Sequence, residues 1–281
     1  MSRMNPNVSV NVDVTNPGQF FACCGLLELA GRLWPGADGW FGDSAFHISC
    51  EGKVDQLLAG LAQTRIESSL RPEQLSRLRT LLSKEKATLT KSELVDKTRL
   101  QEMWRAERLR LTAPFNIWLD WWRDDHGERT ELKTWAAKQL VAEMAGRMFA
   151  IIQRELAVRQ LQENQLFFEA NDDSLPFNFD SDLCRTGNAR DAGFSADTLE
   201  LKSSYRPLLE LLAFVALQRF RPLATIQGFT YYTWAIPLPP SVAAAAASGA
   251  LSVTAQCFTF GLFHRTKYMK AFLPAVSYSK V

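Results

Sequence analysis

The sequence predicts an α+β fold: a mixed or mainly antiparallel sheet, helices packed on one side, and a long docked loop. Three observations predict it. Val8, Val10, Val12 and Val14 alternate with Ser9, Asn11 and Asp13, the period of two that marks a half-buried strand. From Glu131 to Leu161 apolar residues recur every fourth position (Leu132, Ala136, Leu140, Met144, Met148, Ile152, Leu156), which marks one face of a helix. Between Asn171 and Thr198 neither period appears, yet Phe177, Phe179 and Phe194 punctuate the stretch. Loops of that length are uncommon unless they are functional, and three phenylalanines argue for one docked on the core.

The elements follow in order. The break Asn16-Pro17-Gly18 ends the first strand, and from Gln19 the apolar positions through Leu33 read as a helix closed by Trp34-Pro35-Gly36. Gly39 to Gly42 and Ala45 to Cys50 then read as a hairpin. Val54 to Leu61 and Pro72 to Leu82 look helical, with Pro72 suited to a first turn. Lys84 to Lys97 has little periodic apolar content and reads as a basic loop. Leu109 to Trp122 alternates with Phe115, Ile117, Leu119 and Trp121 on one face, and Pro114 suggests an edge or a bend. Arg123 to Thr130 is polar enough for a turn, and a short strand is expected at Leu166 to Glu169. Arg206-Pro207 opens an apolar helix to Phe220, ended by Pro222. Strands at Ile226 to Ile236 and Leu251 to Phe263 flank an alanine-rich helix, Val242 to Ala247. The organisation is one domain over 1–281, with two candidate lobes: 1–122, strand, helix and strands with a basic helical insert, and 131–281, long helix, docked loop and C-terminal strands.

Composition bounds the class. Of the 281 residues 47% are hydrophobic and 22% charged, the ordinary mix of a folded globular chain. No apolar stretch follows the first arginine, and PLLELLAFVAL is far too short for a membrane span, so a cytoplasmic protein without membrane contact is expected. Cys23, Cys24, Cys50, Cys184 and Cys257 form no C-x-x-C and are odd in number, which fits thiols in a reducing compartment. A net charge of +2 decides little; its distribution says more. Basic residues outnumber acidic ones from Arg65 to Arg110, and Arg265, Lys267, Lys270 and Lys280 meet no carboxylate from Arg265 onward. Glu163 to Asp182 is acidic.

Local chemistry points away from catalysis. In NPGQFFACCGLLEL neither Gly18 nor Gly25 is followed by Lys and Ser or Thr, so the strand, turn and helix lack a phosphate cradle and read as a packing unit. Adjacent Cys23 and Cys24 in an apolar setting read as buried packing residues. Asp124-Asp125-His126 is the one local cluster able to hold a metal, and a solvated turn explains it as well. Basic candidates are better. Arg185 and Arg190 lie among Gly187, Asn188 and Gly193, a loop able to present guanidiniums and backbone N–H groups to phosphates. Arg219 and Arg221 follow the Pro207 helix, where complementing a helix C-terminus is the competing role. Arg265 and Lys267 lie on one side of an extended chain, with Tyr268 available for stacking, and a plain solvated tail is the competing reading.

NPGQFFACCGLLELAGRLWPGADGW, the run from PFNFD to ARDAGFS, and RPLLELLAFVALQRFRP followed by Tyr232-Thr233-Trp234 resemble a subunit family of CRISPR type I-G (formerly I-U) loci. That family is grouped with the large subunit of Cascade-like effector complexes. The resemblance covers most of the chain and is most distinctive over Asn16 to Trp40 and Phe177 to Pro222. It implies a non-catalytic subunit of an RNA-guided surveillance complex, with no cofactor. The implied partners are other effector subunits, crRNA and target DNA, and the helicase-nuclease is a further candidate. Arg185, Arg190, Arg219, Arg221, Arg265 and Lys267 are the basic residues nearest these motifs. The chain is shorter than such large subunits and lacks an evident C-terminal helical bundle, which sets a role in reading the PAM apart from membership of the complex. Two other readings stand beside it: a nuclease with a metal held by Asp172, Asp173, Asp180 or the Asp124-Asp125-His126 turn, and an accessory subunit that binds only proteins.

Overall fold

The structure is a computed structural model that describes residues 5–123, 130–136, 139–158, 161–163, 166–172, 176–186, 203–264 and 270–278. The first strand is β1 (Val8–Asn11). The chain then enters α1 (Pro17–Leu33), the hairpin β2 (Asp38–Gly42) and β3 (Ala45–Ser49), and α2 (Val54–Gln63). β4 (Ile66–Ser68), α3 (Pro72–Ser83), a 3-10 turn at Lys86–Thr88 and α4 (Lys91–Arg105) follow. Next are β5 (Leu109–Leu111), β6 (Ile117–Leu119) and α5 (Val141–Val158). β7 (Ala170–Asp172), α6 (Ser181–Thr186), β8 (Ser203–Tyr205) and α7 (Pro207–Ala216) come after. The chain continues through β9 (Leu223–Thr225), β10 (Gly228–Trp234), α8 (Pro240–Ala247) and β11 (Thr254–Phe260). Its last described elements are β12 (Leu262–His264), β13 (Lys270–Phe272) and β14 (Val276–Tyr278).

The fold is α+β, and every strand pairing among the described residues is antiparallel. Two sheets carry the core, one ordered β1-β3-β2 and the other β14-β11-β10-β9. They are tied by paired backbone hydrogen bonds between Gly39 and Leu238 and by Trp234 Nε1 donating to Gly39 O at 2.7 Å. Helix α1 lies on them, with Phe20 stacked on Phe41 and Tyr231, while its other side meets α7. That explains why α1 and α7 are apolar nearly all round: both are buried in the middle of the molecule rather than along one stripe. On the far side of α7, Phe214 is ringed by Trp121, Trp122, Trp135 and Phe177. A smaller apolar cluster of Leu78, Leu81, Leu100 and Trp104 holds α3 against α4.

Several sequence expectations are corrected. The basic loop expected over 84–97 is mostly helix: Thr90 Oγ1 accepts from Glu93 N while Glu93 accepts from Thr90 N, a capping box that starts α4. The single strand expected over 109–122 is a hairpin turning at 112–116, although Phe115, Ile117, Leu119 and Trp121 are all buried as read. The helix expected from Glu131 begins only at Val141, because Leu132 and Trp135 are held in the core by a non-helical stretch. The strand expected at 166–169 forms at Ala170–Asp172 and pairs with β8. The strand expected at 226–236 forms as β10, and an unexpected strand, β9, precedes it and pairs with it across a turn at 226–227, after which Gly228 adopts φ +130°, a conformation open to glycine. The strand expected at 251–263 divides at Gly261 into β11 and β12. Of the docked loop expected over 171–198, the described segment 176–180 is docked, with Phe177 and Phe179 fully buried, but Asn171 and Asp172 belong to β7 and 181–186 to α6, and Phe194 lies outside the described residues. Most of the expected turn at 123–130 also lies outside them.

Candidate nucleic-acid interface

The stretches NPGQ, PFNFDSD and RPLLEL meet at one buried polar cluster. Asn16 caps α1, its Oδ1 accepting from Gln19 N at 3.3 Å and from Ser181 N at 3.2 Å. Its Nδ2 donates to Asp180 Oδ1 at 2.7 Å. Asp180 also accepts from Asp182 N at 3.1 Å and from Arg206 Nη1 at 3.0 Å. In the first turn of α7, Glu210 accepts from Phe179 N and Asp180 N, each at 3.1 Å. Gly18 completes the fit, since a Cβ there would lie 2.7 Å from the Phe179 carbonyl carbon and 2.8 Å from Asp180 Cα.

Two buried carboxyls in this cluster are treated differently. Asp180 has the Arg206 guanidinium against it, and Arg206 reaches on to Glu169 at 3.5 Å and Asp182 at 3.7 Å. Glu210 forms no ion pair among the described residues. Burial pushes its carboxyl up to about 8, with the Asp180 charge adding to the effect and the backbone N–H groups of Asp180, Phe179 and Phe177 opposing it. The cluster therefore acts as a latch that fixes the 176–182 segment to both central helices. Asp180, a ligand in the metal-nuclease reading, has both oxygens occupied by donors of the chain. Of the other carboxylates in that reading, Asp173 and the Asp124-Asp125-His126 turn lie outside the described residues, as does the Asp172 side chain.

The six candidate basic residues are not all alike. Arg219 Nε lies 2.9 Å from Oε2 of Glu28, a residue of α1 only 2% exposed, and Arg32 approaches the same carboxylate at 3.0 Å. Arg219 is thus a countercharge for a buried glutamate, a role neither helix-end nor phosphate binding anticipated. Arg221 is exposed just before β9 and forms no ion pair among the described residues. Arg185 falls in α6, but its side chain, with Arg190, Arg265 and Lys267, lies outside the described residues.

Other exposed groups were missed by sequence reasoning. Trp118 is 47% exposed on β6, with the guanidiniums of Arg108 and Arg110 at 5.8 and 5.9 Å from its ring. Asp120 and Glu67 pair with those arginines, so the patch is close to neutral. The signal was in the alternation: Trp118 is out of phase with the buried Ile117 and Leu119. Tyr278, 48% exposed on β14, was missed because that three-residue strand was not recognised at all. On the basic insert, Arg77 and Arg99 pair with Asp96, Lys84 with Glu93, and Arg79 with Glu143, so much of its positive charge is compensated. No protein-family model matches the chain, and no curated protein and no solved structure gives a significant match.

Proposed function

We propose that this chain is a non-catalytic subunit of a type I-G CRISPR RNA-guided surveillance complex, contacting nucleic-acid backbone and neighbouring subunits in antiviral defence. One observation carries the reading. The motifs in which the sequence resembles that subunit family close on each other through Asn16, Asp180, Arg206 and Glu210, an arrangement that holds segments in shape and so supports a structural subunit. In such a complex base pairing supplies sequence specificity, and protein subunits hold backbones and one another. Charge supports it: no Asp or Glu follows Glu210, whereas, besides Arg219, which is taken up by Glu28, Arg221, Arg265, Lys267, Lys270 and Lys280 do. A region with only positive charges favours a polyanionic partner.

The test is co-expression of the tagged chain with the products of the genes beside its own and with crRNA. Recovery of a defined complex that contains guide RNA is expected, and the purified chain should leave labelled DNA and RNA intact in Mg²⁺ or Mn²⁺. Recovery of the chain alone would overturn the reading. So would metal-dependent cleavage abolished by Asp172→Ala and Asp173→Ala.

A further inference from the structure

The sheet β14-β11-β10-β9 has two unlike faces. Phe229, Tyr231, Phe258 and Phe260 point inward, with Tyr231 against Phe20 and Phe21 of α1. On the opposite face the register sets Tyr232 beside Cys257 and Cys257 beside Tyr278, a row that crosses three strands. The β9–β10 pairing ends at Leu223↔Thr230; Arg221, exposed, stands two residues before Leu223 and Tyr232 two residues after Thr230, so both lie beyond the same end of that pairing. The Tyr232 ring rests against Gly249 at the end of α8, where a Cβ would come within 2.9 Å of Cδ2, so its position is fixed by packing. Between the two tyrosines lies a depression of about 250 Å³ lined also by Thr254, Ala255, Gln256 and Ser277.

We infer that this outer face is a platform for single-stranded nucleic acid, on which Tyr278 and Tyr232 stack bases and Arg221 holds the phosphate chain. It deepens the function proposed above and rests on that reading for the expectation that nucleic acid is at hand. The chemistry comes from the face itself. None of its four strands carries a carboxylate, and Arg221 has no anionic partner among the described residues. Two phenol rings flanking a shallow depression match the way single strands are held, with π faces for bases and a cation for the backbone. Asp13 and Asp43 lie in the adjoining cleft of about 710 Å³, which shares Ala255 and Gln256, so an anionic strand is confined to the tyrosine side. The exposed aliphatics Leu223 and Val276 would also suit a protein partner; the uncompensated arginine and the absence of acid favour nucleic acid.

The experiment is fluorescence anisotropy of the purified full-length chain with labelled oligo(dT) and oligo(U) of about 12 nucleotides, within the range such platforms span, at several salt concentrations. Tyr278→Ala should weaken binding roughly fivefold or more. Tyr278→Phe, which keeps the ring, should restore it. Arg221→Ala should reduce the log–log salt slope by about 0.7. The tighter of the two arms identifies DNA or RNA as the source. Both side chains are exposed, so unchanged melting temperatures serve as the folding control. Wild-type affinity for Tyr278→Ala and wild-type slope for Arg221→Ala in both arms would overturn the inference. So would absence of any binding at low salt. Variants that keep oligonucleotide affinity but lose neighbouring subunits on co-purification would make this a protein-docking face, which also refutes it. A chain that binds oligonucleotides through Tyr278 yet recovers neither guide RNA nor subunits keeps this inference and loses the complex.

Discussion

Gly25 is the place where the packing can be tested most directly. It sits in the middle of α1, and a Cβ there would run into the backbone carbonyl of Leu212 in α7, 2.8 Å from the carbonyl carbon and 3.1 Å from Cα. A backbone group cannot rotate aside as a side chain can, so Gly25→Ala must push apart two helices that are both buried where they meet. Overpacking of this kind costs about 1–3 kcal/mol, occasionally more. Alanine recovers about 1 kcal/mol through its better helix propensity. Contact with rigid backbone puts the cost at the upper end, giving a net loss of about 2 kcal/mol and a fall in Tm of roughly 4–8 °C for a chain of this size. Gly146 on α5 supplies the control, because a Cβ there meets nothing within 4 Å. Gly146→Ala should keep the propensity gain, up to ~1 kcal/mol, and raise Tm by roughly 2–4 °C. Urea and thermal unfolding of both variants decide the matter. If Gly25→Ala is neutral or stabilising, α1 and α7 do not approach as described and the reasoning fails.

The buried Glu210 makes a pH prediction. Its folded pKa of about 8 lies above the ordinary 4.5, so its protonated form stabilises the fold fully below about pH 4.5 and that contribution is lost as pH rises through 8. Glu107, pushed up to about 7 mainly by burial, with the Glu143 charge adding and a hydrogen bond from Ser68 opposing, acts in the same direction. The difference in unfolding free energy between wild type and Glu210→Gln should therefore change by up to about 1.4 kcal/mol per pH unit between pH 5 and 8, and a difference independent of pH would contradict the assignment. Cys23 and Cys24 are fully buried and burial raises both thiols, so a maleimide on the native protein should label Cys257 and Cys50 and spare this pair, as read by mass spectrometry. Replacing both by serine should cost about 1–3 kcal/mol each, and full thermal stability of that variant would refute a packing role. Arg219→Ala removes one of two countercharges from Glu28 and should lower Tm, whereas Arg221→Ala should stay within about 0.5 kcal/mol of wild type; equal effects would mean that Arg219 is not holding the buried carboxylate.

The N-terminal unit was legible in the sequence because its signals are local. The break at Asn16-Pro17-Gly18, Pro35 after the helix and the β2–β3 hairpin act within a few residues, and the structure follows them, except that α1 starts at Pro17, capped by Asn16, and not at Gln19. Cys23 and Cys24 were equally legible as packing residues, although the close approach made at Gly25 is to a helix, α7, and not to the sheet. Helix α4 was missed because few of its residues face the core. Its start rests on the Thr90–Glu93 box, and its cohesion comes from Leu100 and Trp104 against α3. The opposite error arose at Glu131, where a sound helical period was overridden by Trp135 packing among Trp121, Trp122, Phe177 and Phe214.

By itself, then, the sequence determined the class of fold, the opening strand, helix and hairpin, the docking of Phe177 and Phe179, and the charge imbalance of the C-terminal part. Which cations remain open to a ligand was decided by tertiary structure alone. Arg219 meets Glu28 across 191 residues, and Arg206 meets Asp180 from another segment, so their charges are neutralised by partners that no local pattern reveals. The row from Tyr232 through Cys257 to Tyr278 likewise exists only because three strands pair in one register. Periodicity and capping act over a few residues through backbone dihedrals, whereas neutralisation and cross-strand neighbours depend on how distant segments pack.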